Sequence, residues 1–202
     1  MRHLLWKNWL LHRKNIILGI VFAVFFSTIT IDGAKYYTVS LMMCPALIFS
    51  WTVGKICYME DSIATKQFLL SLPVSKWEII FEKNIVSYFC IIVGLLIANI
   101  DSVVIAGFKN MPMNVSWEMN MIMACFLIFY NTIYIFLNYW FDYSKVRFVP
   151  YIILFFMFVF FKFGNEMIEI VSSEKFIFYI LLIGISVLFN YFAINLAAKK
   201  PF

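Results

Sequence analysis

The chain has few of the residues from which catalytic and metal sites are built. It contains two histidines, His3 and His12, and four cysteines that lack metal-ligand spacing. There is no Gly-x-Ser-x-Gly sequence, and no histidine lies in an apolar run where it could activate a serine. A phosphate-binding Gly-Lys-Ser/Thr loop is also missing. The sequence therefore predicts no metal site and no catalytic site, and it predicts that the chain cannot hydrolyse ATP by itself.

Charge is also scarce. Charged residues make up 13% of the chain, against about 25% in a typical soluble domain, and the mean hydropathy is +0.90. A membrane-spanning helix needs about 20 apolar residues. We therefore predict an all-α integral membrane protein, a single transmembrane domain with six spans over residues 15–31, 36–56, 84–107, 119–141, 147–164 and 176–198. The fifth has the shortest uncharged run and relies on snorkelling of Arg147 and Lys162.

The distribution of basic residues predicts the orientation. Of the 16 Lys and Arg residues, all except Lys35, Lys109, Lys162 and Lys175 lie on the side that holds both termini and residues 59–83. Because cytoplasmic segments carry the excess of Lys and Arg, we expect that side to be cytosolic. The net charge of +5 is then explained by topology, and no nucleic-acid partner is predicted.

Residues 1–14 combine Trp6 and Trp9 with basic side chains, which is typical of a helix lying in the cytosolic membrane interface. A cleaved signal peptide is the alternative, but no small-residue cleavage site follows. In the first span, Gly19, Ala23 and Ser27 recur at intervals of four, a spacing that permits close helix packing in lipid. Chance is the alternative explanation for this ladder of small residues.

Asp101 is the one ionisable residue far from a predicted loop. Charged side chains within the membrane are costly and are often functional, so Asp101 is a candidate for a substrate path. Because it lies near the outer end of the third span, a solvated carboxylate at a helix end is the favoured alternative.

Residues 59–83 form the longest segment that is poorly suited to lipid. Ser75 and Glu78 have the spacing of a capping box, and Pro73 ends a short helix predicted over residues 63–70. The pattern predicts a surface helix, a Leu-Pro break and a helix that enters the membrane. An ordinary cytosolic connector is the alternative.

The whole order is a basic interfacial helix, two spans, a cytosolic loop and four more spans. The loop reads Glu60-Asp61, then Leu70-Ser71-Leu72-Pro73-Val74-Ser75-Lys76. In these features the chain resembles the small membrane subunits of type-2 ATP-binding-cassette (ABC) exporters of Gram-positive bacteria. Lys76 stands where that family most often has arginine, and Ile63 and Ala64 replace the usual glycine and aromatic residue.

The resemblance implies that the loop is a coupling helix, which docks on a separate cytosolic ATPase that binds ATP and Mg²⁺. It further implies a second six-span subunit, identical or paralogous, in the plasma membrane. The expected activity is export of a hydrophobic or amphipathic peptide, toxin or drug, with no enzymatic activity or cofactor in this chain. The residues expected to serve docking are Glu60, Asp61, Lys66, Phe68, Leu72, Pro73, Ser75 and Glu78.

Two other functions are compatible with a six-span protein that takes energy from a partner or needs none. One is the substrate-capturing membrane subunit of a vitamin-uptake ABC system, which would need a polar outward pocket. The other is a non-transporting immunity or accessory membrane protein. Co-purification of an ATPase would exclude the latter, and tight binding of a small vitamin by the lone subunit would favour the former.

Overall fold

The computed structural model describes residues 2–29, 36–60, 75–109, 115–141, 143–149, 152, 155 and 175–199. Within these ranges the regular structure is entirely helical, so the predicted all-α class is confirmed. The helices are α1 (Arg2–Ile29), α2 (Tyr36–Glu60), α3 (Lys76–Lys109), α4 (Trp117–Trp140), α5 (Tyr143–Val146) and α6 (Lys175–Lys199).

The direction of each long helix follows from its contacts. Gly19 lies against Ile48 and Trp51, and the Cys44 thiol contacts the Ala23 carbonyl at 3.7 Å. Since the residue numbers rise along α1 as they fall along α2, these two helices are antiparallel. Gly94 lies against Pro45, and Lys83 is paired with Glu60, so α2 and α3 are also antiparallel.

Two apolar clusters fix the remaining helices. Ile80 and Ile135 pack together with Ile194 against them, whereas Ile91 and Leu127 belong to a second cluster with Ala46. The α3 and α4 helices are therefore antiparallel. The side chains of Tyr88 and Asn190 are hydrogen-bonded, so α6 is antiparallel to α3 and runs parallel to α4.

One end of the bundle thus holds the start of α1, the ends of α2, α4 and α6, and the start of α3. We call it the loop end, because residues 61–74 connect α2 to α3 there, and we call the opposite end the far end. The core between them is centred on α2, whose buried apolar side chains include Leu41, Met42, Cys44, Ala46, Ile48, Phe49 and Val53.

The outer surface of the bundle is apolar. Along α3, the side chains of Phe89, Ile92, Leu96 and Ile100 are 52–63% exposed and lie on one face. A continuous apolar face of this kind suits contact with lipid, where backbone groups are already satisfied within helices. The structure thus agrees with the composition in indicating a membrane protein.

Within the described part of the chain, three helical segments are long and apolar enough to cross a membrane: Ser40–Glu60, Trp77–Phe108 and Trp117–Trp140. Tyr179–Asn195 is a shorter apolar helical segment. The prediction of six spans with cytosolic termini is not tested by these findings. Most of the predicted fifth span, 147–164, lies outside the described residues.

The predicted interfacial segment 1–14 and the predicted first span 15–31 share one helix. The α1 helix runs for 28 residues from Arg2 to Ile29 without interruption. Likewise α2 continues to Glu60 and α3 starts at Lys76, so both helices extend beyond the predicted spans toward the loop.

Candidate functional site

A buried ion pair joins the two helices that flank residues 61–74. The Lys83 ammonium lies 2.5 Å from the Glu60 carboxylate, and the two side chains are only 6% and 12% exposed. Glu60 is the last residue of α2, while Lys83 lies two turns into α3. The ion pair therefore holds the end of one helix against the beginning of the next.

The same ammonium group also contacts α4. Lys83 Nζ lies 4.8 Å from the centre of the Tyr139 ring, a distance suited to a cation–π interaction. Ile80, one turn earlier in α3, packs with Ile135 of α4. Three helices, α2, α3 and α4, are thus connected at the loop end through a single lysine side chain.

The predicted capping box is formed at the start of α3. The backbone N–H of Ser75 donates to the Glu78 carboxylate at 3.0 Å, and the backbone N–H of Glu78 donates to the Ser75 hydroxyl oxygen at 3.3 Å. The Ser75 hydroxyl also donates to the same carboxylate at 3.2 Å. These bonds satisfy donors that have no partner within the helix, so the helix begins at a defined residue.

An exposed aromatic pair follows the capping box. Trp77 and Phe81 are 50% and 41% exposed, and their ring centroids are 5.5 Å apart. Trp side chains with one apolar body and one polar group favour the membrane interface. The pair therefore suits the level at which α3 leaves the headgroup region and enters lipid.

The remaining predicted docking residues, Asp61, Lys66, Phe68, Leu72 and Pro73, lie outside the described residues. Glu60, Ser75 and Glu78 are described: Ser75 and Glu78 are hydrogen-bonded to each other, whereas Glu60 contacts Lys83. The carboxylate of Glu60 is occupied by Lys83.

Two residues of the predicted ladder, Gly19 and Ala23, lie on the side of α1 that faces α2. An added Cβ at Gly19 would lie 3.3 Å from the Trp51 Cβ, and Ala23 is completely buried. The side chain of Ser27 lies outside the described part of the structure.

The expectation that Asp101 is a solvated carboxylate at a helix end is wrong. Asp101 is 8% exposed, and α3 continues beyond it for two further turns to Lys109. It shares the inward face of α3 with Ala98, Ser102 and Ile105. A role in the substrate path stays a prediction.

Sequence reasoning missed a polar network at the far end. The Tyr37 hydroxyl donates to Asn99 Oδ1 at 3.0 Å, Asn99 Nδ2 donates to Asn120 Oδ1 at 2.8 Å, and Asn120 Nδ2 donates to the Tyr37 oxygen at 2.7 Å. This closed ring connects α2, α3 and α4. No local spacing could reveal it, because the three residues belong to three different helices.

The two polar clusters are separated by about the thickness of a bilayer core. Lys83 and Asn99 lie 16 residues apart on α3, which corresponds to about 24 Å at the helical rise of 1.5 Å per residue. The hydrocarbon core of a bilayer is about 30 Å thick. The ion pair and the network are therefore separated by slightly less than the thickness of that core.

A close contact between Gly94 and Pro45 was also missed. A Cβ built on Gly94 would overlap the Cα and Cβ atoms of Pro45. At this point α3 approaches the backbone of α2 so closely that only glycine fits without a shift. Pro45 lies inside α2, and it presents a ring in place of a backbone N–H.

The described residues on either side of residues 61–74 are held by side-chain contacts. Within the described ranges, no group of three or more His, Cys, Asp or Glu side chains is arranged to hold a metal ion. Glu60 is paired with Lys83, and Ser75 is hydrogen-bonded to Glu78.

Comparison with known proteins identifies one family. A family model described as "ABC-2 family transporter protein" matches residues 3–200. The comparisons with curated proteins and with solved structures give no match. The matched residues include the ion pair, the capping box and the far-end network.

Proposed function

The chain belongs to the ABC-2 family of transporter proteins, and we propose that it is the membrane subunit of an ABC exporter. The proposed cargo is a hydrophobic or amphipathic peptide, toxin or drug. The observation that carries the proposal is the family match over residues 3–200. Members of this family are membrane components of transporters, which implies that this chain associates with an ATP-binding-cassette ATPase.

Energy for transport must come from that ATPase. The sequence has no phosphate-binding Gly-Lys-Ser/Thr loop of its own. In the proposed complex, ATP and Mg²⁺ bind to the cytosolic ATPase, and residues 59–83 of the membrane subunit dock on it. The docking surface includes Asp61, Lys66, Phe68 and Leu72.

The loop end is suited to transmit motion from the ATPase. A displacement of residues 61–74 acts on α2 through Glu60 and on α3 through Ser75. The Glu60–Lys83 pair makes these two ends move together, and the Lys83–Tyr139 contact extends the connection to α4. Separation of α2 from α3 would leave two buried charges uncompensated, which is costly. The three helices are therefore expected to move as one unit.

The proposed assembly contains two six-span subunits, identical or paralogous, with both termini and residues 59–83 in the cytosol. Helix directions support this orientation, since the start of α1 and the end of α6 lie at the loop end together with Glu60 and Lys83. The positive charges follow the same division. A plasma membrane of a Gram-positive bacterium is the proposed location.

The composition supports a hydrophobic or amphipathic cargo. The chain has 24 Phe, 11 Tyr and 6 Trp residues, which can supply apolar contact area. Charged side chains within the bundle occur mainly at the two ends, so its middle offers little to a highly charged cargo.

Purification from native membranes tests the proposal. A tagged chain should retain an ATPase subunit through mild-detergent purification, and the complex in proteoliposomes should hydrolyse ATP. Addition of amphipathic peptides should stimulate that hydrolysis. A chain that purifies without any ATPase, or that binds a vitamin tightly on its own, would contradict the exporter assignment.

A further inference from the structure

A group of buried polar side chains lies in the apolar contact between α3, α4 and α6. On α4, Asn131 is completely buried, as is Ser87 on α3, and Asn84 is 7% exposed. Both amide atoms of Asn131, the Ser87 hydroxyl and the Asn84 Oδ1 atom have no hydrogen-bond partner in the described part of the chain. Asn190 Oδ1 on α6 also lacks a hydrogen-bond partner there.

Apolar contacts on both sides place these residues at one level of the bundle. Asn131 lies one turn from Leu127 and one turn from Ile135, and hence on the same side of α4. Leu127 belongs to one apolar cluster with Ile91 and Ala46, and Ile135 packs on Ile80. The side of α4 that carries Asn131 therefore faces the segment of α3 between Ile80 and Ile91.

Asn84 and Ser87 occupy that segment of α3. Asn84 follows Ile80 by one turn, and Ser87 precedes Ile91 by one turn, so both lie on the stripe that faces α4. The third helix beside these polar groups is α6. Its Asn190 precedes Ile194 by one turn and is hydrogen-bonded to Tyr88. Three helices thus direct uncharged polar groups toward the same region.

Exchanging the oxygen and nitrogen of the Asn131 amide would not satisfy the hydrogen bonds of this cluster. Both ends of the Asn131 amide lack a partner, so exchanging its oxygen and nitrogen would leave two unpaired atoms. Buried polar groups are nearly always hydrogen-bonded to protein or to ordered water. In lipid, no bulk water is available to supply the bonds.

We propose that Asn84, Ser87, Asn131 and Asn190 form an internal site for an uncharged ligand that both donates and accepts hydrogen bonds, and that this ligand is water. The free groups include donors and acceptors, and the nearby Lys83 charge is already neutralised by Glu60. The site is short, because Leu127 and Ile135 are about 12 Å apart along α4. That length suits water molecules, each of which typically makes about three hydrogen bonds to buried polar groups.

Water at this site would connect α6 to α3 and α4 through exchangeable hydrogen bonds. Such bonds can be remade after a small displacement of one helix, unlike interlocked apolar side chains. The inference concerns the bundle itself and does not depend on the cargo.

Radiolytic hydroxyl labelling of the full chain in lipid nanodiscs tests the proposal. X-rays generate hydroxyl radicals from bound water, and the radicals oxidise side chains next to it. Leu127 and Ile135 flank the site, while Leu41 and Ile48 are equally buried side chains of the same types in the apolar core around α2. We expect Leu127 and Ile135 to be labelled several-fold faster than Leu41 and Ile48.

Two variants make the test specific. Asn131→Leu removes the central amide while keeping the branched shape and the number of side-chain heavy atoms, and it should lower the labelling of Leu127 and Ile135 to the level of Leu41 and Ile48. Thr132→Val is the matched control, since the Thr132 hydroxyl already donates to the Ile128 carbonyl at 2.8 Å, and it should leave the labelling unchanged. Ser87→Ala provides a second variant on α3 with the same expected direction.

Equal labelling of the two pairs of residues in the unmodified protein would overturn the proposal. So would labelling of Leu127 and Ile135 that persists unchanged in both Asn131→Leu and Ser87→Ala. If Asn131→Leu does not fold, the comparison in the unmodified protein and in Ser87→Ala still decides the question.

Discussion

Glu60 and Lys83 form a buried ion pair across residues 61–74, with the carboxylate and the ammonium group 2.5 Å apart. The pair joins the end of α2 to the first turns of α3, on either side of the predicted coupling loop. It also places a charged pair where burial removes most of its hydration, so that each partner depends on the other.

Loss of one partner of this pair should destabilise the bundle. Lys83→Met leaves the Glu60 carboxylate uncompensated, and we expect a loss of about 3–5 kcal/mol in the free energy of unfolding. The double variant Glu60→Gln with Lys83→Met should recover much of this loss, because both buried charges are removed. Thermal unfolding followed by tryptophan fluorescence in nanodiscs would measure it.

Lys55→Met is the control for that experiment. The Lys55 side chain is exposed on α2, so its loss should change stability little. A Lys83→Met variant as stable as Lys55→Met would show that the ion pair does not hold α2 to α3.

Gly94→Ala should destabilise the protein although alanine favours helices. The added methyl group would overlap Pro45, and forced repacking typically costs about 1–3 kcal/mol. Gly107→Ala is the matched control on the same helix, since an added Cβ there meets no atom within 4 Å. Its helix propensity alone should be neutral or stabilising by up to about 1 kcal/mol. Equal stability of the two variants would contradict the close helix contact.

Gly19→Leu combined with Ala23→Leu should separate α1 from α2. Gly19 lies against Ile48 and Trp51, and Ala23 is completely buried, so larger side chains block close approach. Native gels and thermal unfolding would report a loss of assembly or of folded protein. Val21→Leu, at an exposed position of α1, should have neither effect, and identical behaviour of the two proteins would exclude this packing role.

The far-end network should show energetic coupling between Asn99 and Asn120. Their side chains bond to each other and to the Tyr37 hydroxyl, and such bonds in membrane proteins contribute about 0.6 kcal/mol on average. Asn99→Leu and Asn120→Leu should therefore be non-additive in a double-mutant cycle of unfolding free energies. Strict additivity would mean that the ring of hydrogen bonds contributes nothing to stability.

Local sequence patterns predicted local structure well. The capping box of Ser75 and Glu78 depends on a spacing of three residues, and it is formed as predicted. The all-α class followed from the scarcity of charge and the length of the apolar runs. These features need no knowledge of which helices are neighbours.

Non-local relationships could not be derived in this way. The Glu60–Lys83 pair, the Gly94–Pro45 contact and the far-end network each join different helices. Their residues become partners only through the directions and rotations of α2, α3 and α4. For the same reason Asp101 was expected to be solvated, since its burial depends on helices packed beside α3.

We propose that residues 59–83 couple the membrane subunit to an ATPase, and co-purification of loop variants would reveal this coupling. Asp61→Ala and Phe68→Asp should leave expression and membrane insertion intact, whereas the ATPase should dissociate and ATP-driven transport in proteoliposomes should fall. Lys145→Ala, which removes an exposed charge next to α4 at the loop end, should retain both. If Asp61→Ala and Phe68→Asp keep full ATPase binding and full transport, the loop is an ordinary connector and the coupling account is wrong.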